Sequence, residues 1–426
     1  MGVKLQLPRG MRDYPPEERI LREEIVSFLK SVFERYGFNP LETPVVERWE
    51  VLAAKYGGGE EILKETFRLR DQGGRELGLR YEMTTSLARF VGMNPTRKRP
   101  LKLYQIGPVF RDGPIKRGRL RQFWQCDVDT IGTKSLLADA ELLNLTFDFF
   151  KELKLEVEIK VNNRKLLRDL IEPLVPAGRD SISVILSLDK LEKVGAEGVA
   201  AELQAKGLKE EEIVRLFELA EVKGPNEERI ATLRQMTESE GLQEIEELYR
   251  YLDRPDRVIF TPSLARGLAY YTGTVFEVYP RSSESASSLA AGGRYDDLIG
   301  QFIGTAGEIP AVGISFGLEP IMEAVETSKV QGRKSKVEIF VIPIGTVAES
   351  REVAQQLRRA GIRTDMDLLG RGVSANLGFA NAYEIPYVLL VGPDELAQGK
   401  VKLRDMESGE ERLLTVEEVI EGLRSA

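Results

Sequence analysis

The sequence predicts an α+β protein in which an antiparallel sheet carries an inserted helical module, followed by a separate α/β domain. Paired strand patterns with short turns occupy residues 65–132, and strand patterns return at 257–279. Between about 165 and 249 the strand signals nearly vanish, and Glu, Lys and Leu dominate. Beyond residue 337, strands and helices alternate in the order β-α-β-α-β.

The N-terminal elements follow from apolar spacing and from turn residues. A helix is predicted to begin at Pro15-Pro16 and to end at Gly37, because apolar residues recur at helical spacing between them. Residues 38–46 are interrupted by prolines and are predicted to be extended, and residues 65–83 to form a hairpin. The hairpin residues predicted to point inward are Phe67, Leu69, Leu77 and Leu79.

The remaining elements set the domain plan. Two further strands are predicted at 101–112 and 121–132, with an amphipathic helix at 136–153. We expect a first domain over 1–325, which contains the helical module at about 165–249. The polar stretch 326–336 is predicted to be a linker, and 337–426 to be an α/β domain with mixed or parallel strands.

Charge and composition exclude several classes of function. The chain has 426 residues, with 60 basic and 68 acidic side chains and a net charge of -8, whereas a protein dominated by nonspecific polyanion binding would be more basic. Histidine is absent, which removes Ser-His-Asp triads, Cys-His dyads and His-based zinc sites. The single cysteine, Cys126, permits neither an intrachain disulfide nor a Cys-x-x-Cys metal site.

The same features indicate a cytoplasmic protein. The scarcity of cysteine favours a reducing compartment. The N-terminal residues lack the apolar core of a signal peptide, and no apolar stretch approaches the ~18 residues that span a bilayer. We therefore expect no membrane association.

Two glycine motifs carry little chemistry by themselves. Gly313-Ile314-Ser315-Phe316-Gly317 matches the nucleophile elbow of hydrolases, but that elbow needs a histidine partner. The glycines favour close packing or ligand approach at a strand end instead. Gly57-Gly58-Gly59 lacks the Lys-Ser/Thr that a Walker A sequence requires, and no Walker A sequence occurs, so ATP would need another platform.

The densest basic cluster, 111–121, lies between two predicted strands. Arg111 ends one strand, and Phe123 lies near the start of the next. An aromatic ring that stacks a base and a guanidinium that binds a phosphate suit a nucleotide. A solvated hairpin tip is the alternative. The basic residues of the cluster are Arg111, Lys116, Arg117, Arg119 and Arg121.

Acidic side chains are predicted to share one sheet face. Gln125, Asp127 and Asp129 alternate along one strand, and Glu82 lies in a neighbouring segment. Acids beside an arginine suit a zwitterionic substrate, with the acids binding its amino group and the arginine its carboxylate. A solvated sheet face explains the same pattern. In a later segment, Arg266 stands in an apolar, glycine-flanked setting that is harder to explain by packing.

Eight segments, in order and over nearly the full length, resemble the histidyl-tRNA synthetase family of class II aminoacyl-tRNA synthetases. RGMRDYPPEE and YGFNPLETPVVE are similar to the family's entry segment and its motif 1. FRLRDQGGRELGLRYEMTTSLAR is similar to the hairpin that follows, and VFRDGPIKRGRLRQFWQCDVDTIG to motif 2. ARGLAYYTGTVFEVY and AAGGRYDDL resemble the two signatures peculiar to the histidine enzymes. LDKLEKVGAEGVAAELQAKGL is similar to the helical insertion, and GKVKLRDMESGEE to the end of the anticodon-binding domain. The resemblance implies the class II catalytic fold for the antiparallel-sheet domain.

The resemblance also implies roles for individual residues. Arg111 would grip the carboxylate of histidine and the α-phosphate of ATP, Phe123 would stack on adenine, and Arg266 would neutralise the α-phosphate during attack. Arg111 and Arg266 are therefore the expected catalytic residues. The residues expected to bind histidine are Glu82, Met83, Thr84, Arg111, Gln125, Asp129, Arg266, Tyr270 and Tyr271.

The implied reaction uses ATP with Mg²⁺, L-histidine and tRNA(His), in a homodimer formed through motif 1. It needs positioning and charge neutralisation more than a protein base, because the carboxylate of the substrate is the nucleophile. This chain departs from the family pattern at four positions. Pro320 stands where motif 3 usually ends in arginine, Asp129 where a glutamate is frequent, Trp124 at a common histidine, and Tyr81 at a common proline.

Two other functions remain open from the sequence. A noncatalytic paralogue, such as the regulatory subunit of ATP phosphoribosyltransferase, binds histidine without charging tRNA and typically lacks the anticodon domain. Pro320 favours that paralogue, whereas Arg111, Arg266 and the C-terminal domain favour a synthetase. A pure nucleic-acid-binding module on the same fold is disfavoured by the net acidity of the chain.

Overall fold

The chain divides into two structural units. The computed structural model describes residues 3–54, 63–115, 120–175, 181–188, 191–220, 222–265, 270–281, 288–304, 307–327 and 334–425. One unit comprises Met1–Arg12 and Ile25–Val330, and the other comprises Asp13–Glu24 and Gln331–Ala426.

The strands of the first unit form two sheets. Eight of the strands within the described residues make a large sheet in the order β1-β5-β6-β11-β10-β9-β7-β8. Its neighbours are antiparallel except at the edges, where β1 pairs with β5 and β7 with β8 in parallel. The small antiparallel sheet has the order β2-β4-β3. The strands are β1 (Asn39–Pro40), β2 (Val46–Arg48), β3 (Arg68–Arg70), β4 (Glu76–Leu79), β5 (Leu101–Phe110), β6 (Gln122–Ile131), β7 (Val157–Asn163), β8 (Val258–Phe260), β9 (Thr274–Pro280), β10 (Ala290–Arg294) and β11 (Ala311–Gly317).

Helices before residue 331 flank the sheets and fill the region predicted to be helical. Within the described part of 165–249, the chain has helices and no strand. The helices are α1 (Pro16–Arg35), α2 (Trp49–Leu52), α3 (Thr84–Met93), α4 (Leu136–Glu152), α5 (Arg164–Ile171), α6 (Ser181–Leu188), α7 (Leu191–Ala205), α8 (Glu210–Ala220), α9 (Asn226–Met236), α10 (Glu240–Arg250), α11 (Leu298–Phe302) and α12 (Leu318–Thr327). Single 3-10 turns occupy Glu172–Leu174 and Pro255–Arg257.

An aromatic core lies on one face of the large sheet. Phe316 of β11 has its ring centroid 5.5 Å from that of Phe149 in α4 and 5.8 Å from that of Phe33 in α1. All three rings are fully buried. Because neighbouring strand residues point to opposite faces, this packing directs the residues on either side of Phe316 to the other face of the sheet.

The second unit contains the predicted α/β arrangement. Its sheet has the order β13-β12-β14-β15-β16, with β12, β13 and β14 mutually parallel and β15 and β16 antiparallel. The strands are therefore mixed. The elements are β12 (Ile339–Pro343), α13 (Val347–Arg359), β13 (Thr364–Met366), α14 (Val373–Ala382), β14 (Tyr387–Val391), α15 (Pro393–Leu396), β15 (Val401–Asp405), β16 (Glu411–Leu414) and α16 (Val416–Ser425).

Most predicted elements are confirmed at their predicted places. The prediction that Leu69 of the β3–β4 hairpin points inward is wrong. Its side chain is 40% exposed, because β3 is the edge strand of a sheet with only three described strands. Among the residues that the structure describes, no helix combines the length and the apolar character that crossing a bilayer requires.

Candidate active site

The two central strands of the large sheet carry polar side chains on one face. Gln125, Asp127 and Asp129 of β6 line a cavity, while Cys126 and Val128 between them are fully buried on the other face. The alternation predicted from the sequence is thus present. The core side of the sheet fixes the strand, and the intervening residues must face the cavity.

The neighbouring strand leaves room for the carboxylates of β6. Gly313 pairs with Asp129 and Ser315 pairs with Asp127 in the antiparallel ladder. A Cβ atom at position 313 would lie 1.9 Å from Oδ1 of Asp129, far inside contact distance. Only glycine therefore lets the Asp129 carboxylate lie where it does.

The cavity has a volume of about 480 Å³ and gathers most of the predicted site residues. These residues come from separate segments of the chain, and the sheet and the start of α3 bring them together. The predicted residues that line it are Glu82, Thr84, Arg111, Phe123, Gln125, Asp129, Tyr270 and Tyr271.

Two predicted residues do not line the described cavity. Met83 is only 1% exposed and packs in the core at the start of α3, where its backbone oxygen accepts a hydrogen bond from Gln105 Nε2 at 3.5 Å. Arg266 lies outside the described residues. The predicted meeting of Arg111 and Arg266 therefore stays a prediction.

Asp129 lies at the buried end of the cavity. The Tyr295 hydroxyl donates a hydrogen bond to its Oδ1 at 2.5 Å. Burial raises the pKa of Asp129 to about 7, the Tyr295 hydroxyl opposes that rise, and the charge of Glu82 adds to it. This carboxylate is therefore balanced between its two protonation states near neutral pH, and a cationic or hydrogen-bond-donating ligand would favour the ionised state.

Asp127 is held by a serine of the neighbouring strand. The Ser315 hydroxyl donates to Asp127 Oδ1 at 2.5 Å, and Gln125 Nε2 donates to Ser315 Oγ at 2.9 Å. Burial, together with the charge of Asp129, raises the pKa of Asp127 well above its usual range.

Glu82 links the cavity to the first turn of α3. Its carboxylate accepts hydrogen bonds from the backbone amides of Thr84 at 2.5 Å and Thr85 at 2.8 Å. A carboxylate at this place satisfies amides that have no partner within the helix and interacts favourably with the helix dipole. The hydrogen bonds fix the carboxylate at the cavity wall.

Arg111 and Phe123 lie close together, Arg111 just after the end of β5 and Phe123 near the start of β6. Arg111 follows the last residue of β5, and its Nε donates to the backbone oxygen of Tyr81 at 3.1 Å. Its guanidinium carbon lies 5.0 Å from the centroid of the Phe123 ring. A cation and an aromatic face are thus offered to the same part of the cavity.

The tyrosines form a phenolic wall. The ring centroids of Tyr270 and Tyr271 are 4.5 Å apart, and their hydroxyl oxygens are 3.3 Å apart. Tyr295 meets Tyr270 edge to face at 6.3 Å. Burial raises the pKa of Tyr271 to about 12 and that of Tyr270 well above its usual range, so both phenols are neutral at physiological pH.

Pro320, which stands where motif 3 usually has an arginine, lies beside the cavity. Pro320 is the third residue of α12, a first-turn position that proline tolerates because the amides there have no helical partner. Its ring is close to Gly317, where a Cβ atom would lie 3.2 Å from Pro320 Cδ. The neighbouring Glu319 accepts a hydrogen bond from the Trp124 amide at 3.0 Å. Position 320 thus offers the cavity no cation.

Several polar residues of the cavity were missing from the predicted site, among them Asp127, Ser315 and Tyr295. Asp127 was on the correct strand face in the sequence, and its alternation with Gln125 and Asp129 is the signal that could have included it. Ser315 and Tyr295 line the cavity as well. Their partners lie 188 and 166 residues away in sequence, so only the register of the sheet shows the contacts.

The described lining is suited to a zwitterion. Three carboxylates, those of Glu82, Asp127 and Asp129, face the cavity together with one guanidinium, that of Arg111. This balance favours a ligand with a positive group near the acids and a negative group near the arginine.

Comparisons with known proteins agree with the motifs. Residues 10–321 match the family described as Histidyl-tRNA synthetase, and residues 338–426 match the Anticodon binding domain. The chain is 44% identical over 416 residues to Histidine--tRNA ligase 1 of Bacillus cereus, covering 96% of this chain and 97% of that protein. It is 37% identical to Histidine--tRNA ligase of Gloeobacter violaceus, with 93% of each chain covered.

A solved structure gives the same answer for the fold. The crystal structure of histidyl-tRNA synthetase from Nostoc sp. PCC 7120 superposes with a TM-score of 0.88 and 29% sequence identity, covering 100% of both chains. The predicted class II synthetase fold and the C-terminal anticodon-binding domain are confirmed. The chain belongs to the histidyl-tRNA synthetase family.

Proposed function

We propose that this chain is a histidine–tRNA ligase, which activates L-histidine with ATP to histidyl-adenylate and transfers the histidyl group to tRNA(His). The observation that carries the proposal is the gathering of eight predicted site residues around one cavity in a chain of this family. A volume of about 480 Å³ lies within the range of about 300–1,000 Å³ that is typical of small-molecule sites.

In this proposal the acidic end of the cavity binds histidine. Asp129, held by Tyr295, accepts a hydrogen bond from an imidazole N–H, while Tyr270 and Tyr271 enclose the ring. Glu82, Thr84 and Gln125 bind the amino group. The short Asp129 side chain still reaches into the cavity because Gly313 leaves its carboxylate unobstructed.

The other end of the cavity is assigned to ATP. Phe123 stacks on adenine, and Arg111 binds both the histidine carboxylate and the α-phosphate. The substrate is the magnesium complex of ATP, since Mg²⁺ at such sites is bound largely through substrate phosphates and water. Among the described residues, no group of three or more carboxylates or thiols is placed to bind a metal ion.

The first step is an in-line displacement at phosphorus. A carboxylate oxygen of histidine attacks the α-phosphorus, the bond to the bridging oxygen breaks, and pyrophosphate leaves with its electron pair. Arg111 orients the two reactants and neutralises developing charge, and Arg266 is assigned to neutralise the α-phosphate during the attack. No protein base is needed, which suits a chain without histidine.

In the second step, the terminal hydroxyl of tRNA attacks the carbonyl carbon of the adenylate. The ester bond to tRNA forms, the acyl–phosphate bond breaks, and AMP leaves. A phosphate oxygen of the adenylate is assigned to accept the hydroxyl proton.

We also propose the domain plan and the assembly. Residues 1–325 form the catalytic domain with its inserted module at about 165–249, 326–336 the linker, and 337–426 the anticodon-binding domain. The protein is proposed to work as a homodimer in the cytoplasm, where tRNA is charged and used.

The regulatory subunit of ATP phosphoribosyltransferase is not favoured as an alternative. Relatives that align along nearly the whole chain are named as histidine–tRNA ligases. The match to an anticodon-binding domain at 338–426 also argues against it.

Exchange of radioactive pyrophosphate into ATP tests the proposal, with histidine binding measured on the same protein by calorimetry. We expect exchange that depends on histidine and MgATP. Histidine binding without exchange in folded protein would support the noncatalytic paralogue. Absence of both would overturn the assignment of the cavity.

A further inference from the structure

We propose that Ser315 is a positioning residue that sets the orientation of the Gln125 amide, so that its carbonyl oxygen faces the amino group of the bound amino acid. The inference rests on the proposed function, because it deepens the assignment of that cavity. It gives the serine of the Gly313–Gly317 motif a role that needs no histidine.

Gln125, Ser315 and Asp127 are joined by two hydrogen bonds between β6 and β11, and this chain of hydrogen bonds is called the relay. Ser315 lies opposite Asp127 in the β6–β11 ladder, and Gln125 lies opposite Gly317. The distance from Gln125 Nε2 to Ser315 Oγ is 2.9 Å, and that from Ser315 Oγ to Asp127 Oδ1 is 2.5 Å.

The number of available protons fixes the direction of the relay. An ionised carboxylate only accepts hydrogen bonds, and a hydroxyl has a single proton to donate. When Asp127 is ionised, the Ser315 proton is committed to it, and Ser315 Oγ offers only lone pairs to Gln125. The Gln125 amide must then turn its NH₂ group toward Ser315. The oxygen and nitrogen of an amide are assigned from such networks, and with Asp127 ionised this one permits a single assignment.

The relay leaves the carbonyl oxygen of Gln125 without a hydrogen-bond donor among the described residues. Gln125 Oε1 is buried and has no hydrogen-bond partner among the residues that the structure describes. An unsatisfied buried acceptor typically costs about 1–3 kcal/mol. An ammonium group is a donor with three protons and no lone pair, so it satisfies this oxygen and would be repelled by an NH₂ group in the same place.

An ammonium group in the cavity also stabilises the relay that receives it. Its charge favours the ionised form of the nearby carboxylates, including Asp127, and an ionised Asp127 keeps the Ser315 proton. The ligand and the orientation of the amide therefore support each other.

The test compares Ser315→Ala with Ser315→Thr, using two ligands that differ only at the α-carbon. L-histidine carries the amino group, and imidazole-4-propionate lacks it. We measure the Kd of each ligand by calorimetry with the full chain, and the thermal unfolding midpoint of each variant.

We expect Ser315→Ala to weaken histidine binding at least tenfold and to change imidazole-4-propionate binding less than twofold. Ser315→Thr keeps the hydroxyl and should restore histidine binding to within about threefold of the unaltered protein. Asp127→Asn is a second variant: its amide can donate to Ser315, which frees the serine proton for Gln125 Oε1 and reverses the relay. It should therefore also weaken histidine binding more than imidazole-4-propionate binding, through the reversed relay and through the lost charge together.

Equal losses for both ligands in Ser315→Ala, or unchanged histidine binding, would overturn the relay. If Ser315→Ala unfolds, Ser315→Gly, which also lacks the hydroxyl and keeps the Asp127 charge, decides: selective loss of histidine supports the relay, and any other result contradicts it. Failure of the unaltered protein to bind histidine is a different outcome, since it refutes the proposed function itself.

Discussion

A charged side chain buried in the cavity lowers the stability of the folded protein. Asp129 is 6% exposed, and its one described hydrogen-bond donor is Tyr295. In the folded protein its pKa rises from 3.8 to about 7 because burial disfavours the ionised form. A carboxylate kept in such a place for its ligand should lower stability when the ligand is absent.

Asp129→Asn should therefore stabilise the unliganded protein at pH 8. The folded state binds the proton more tightly than the unfolded state, so the cost of ionised Asp129 is complete above pH 7. It falls as the pH drops below 7 and is largely gone near pH 4. Three pKa units correspond to at most about 4 kcal/mol. Denaturant unfolding at pH 8 and pH 5 measures the gain, which should be larger at pH 8. A gain independent of pH would show that the charge of Asp129 is not its source.

Arg266→Ala tests the proposed charge neutralisation. Removing one group that stabilises transition-state charge typically lowers the rate by about 10²–10³-fold. We expect that loss in pyrophosphate exchange, with histidine affinity nearly unchanged. Arg359→Ala, an exposed position on α13, is the control and should leave exchange unaltered. A large loss of histidine affinity with an unaffected rate would assign Arg266 to substrate binding instead.

Sequence reasoning at this scale succeeded where residues lie on one strand. Gln125 and Asp129 share a face because they are four residues apart in an extended segment, and that needs no tertiary information. Tyr295 and Ser315 were missed because their partners are brought close by strand pairing across the sheet. The same limit explains Leu69, whose exposure depends on being at a sheet edge.

At the scale of elements, β11 divides its residues between the core and the cavity. Phe316 packs against helices α1 and α4, while Gly313 and Ser315 face β6 carboxylates. The sequence predicted a strand end at this segment. It also predicted that the glycines allow close approach, but not that the neighbour is Asp129.

Gly313→Ala should disable the histidine end of the cavity. The added methyl would lie 1.9 Å from Asp129 Oδ1, so the carboxylate must move away from Tyr295. In the exchange assay we expect the KM for histidine to rise at least tenfold, with the KM for MgATP changed little. Gly378→Ala in α14 is a matched control, because nothing lies within 4 Å of its added methyl. Equal effects on both KM values would argue against a localised contact.

At the scale of the whole molecule, the two units are proposed to divide the work. The described cavity is built from the first unit, and the second unit carries the match to an anticodon-binding domain. Alternation of strands and helices predicted the second unit, because each βα step leaves a periodic signature in the sequence. The surface with which that unit would bind its partner has no comparable periodic pattern in the sequence.

Leu368→Ala combined with Leu369→Ala should separate the two activities. These side chains are 82% and 78% exposed after β13, and exposed apolar groups often mark binding surfaces. We expect charging of tRNA(His) to weaken about tenfold or more, while histidine-dependent exchange stays unchanged. Exchange on the same protein is the control for folding. Equal losses in both assays would contradict the division of labour.

The most direct test supplies each of the twenty amino acids singly to the pure protein in the exchange assay, with MgATP. A cavity that joins buried carboxylates and phenols to Arg111 and Phe123 should support exchange with histidine alone. Exchange with a different amino acid, or with none while histidine still binds, would contradict the assignment of this cavity to histidine activation.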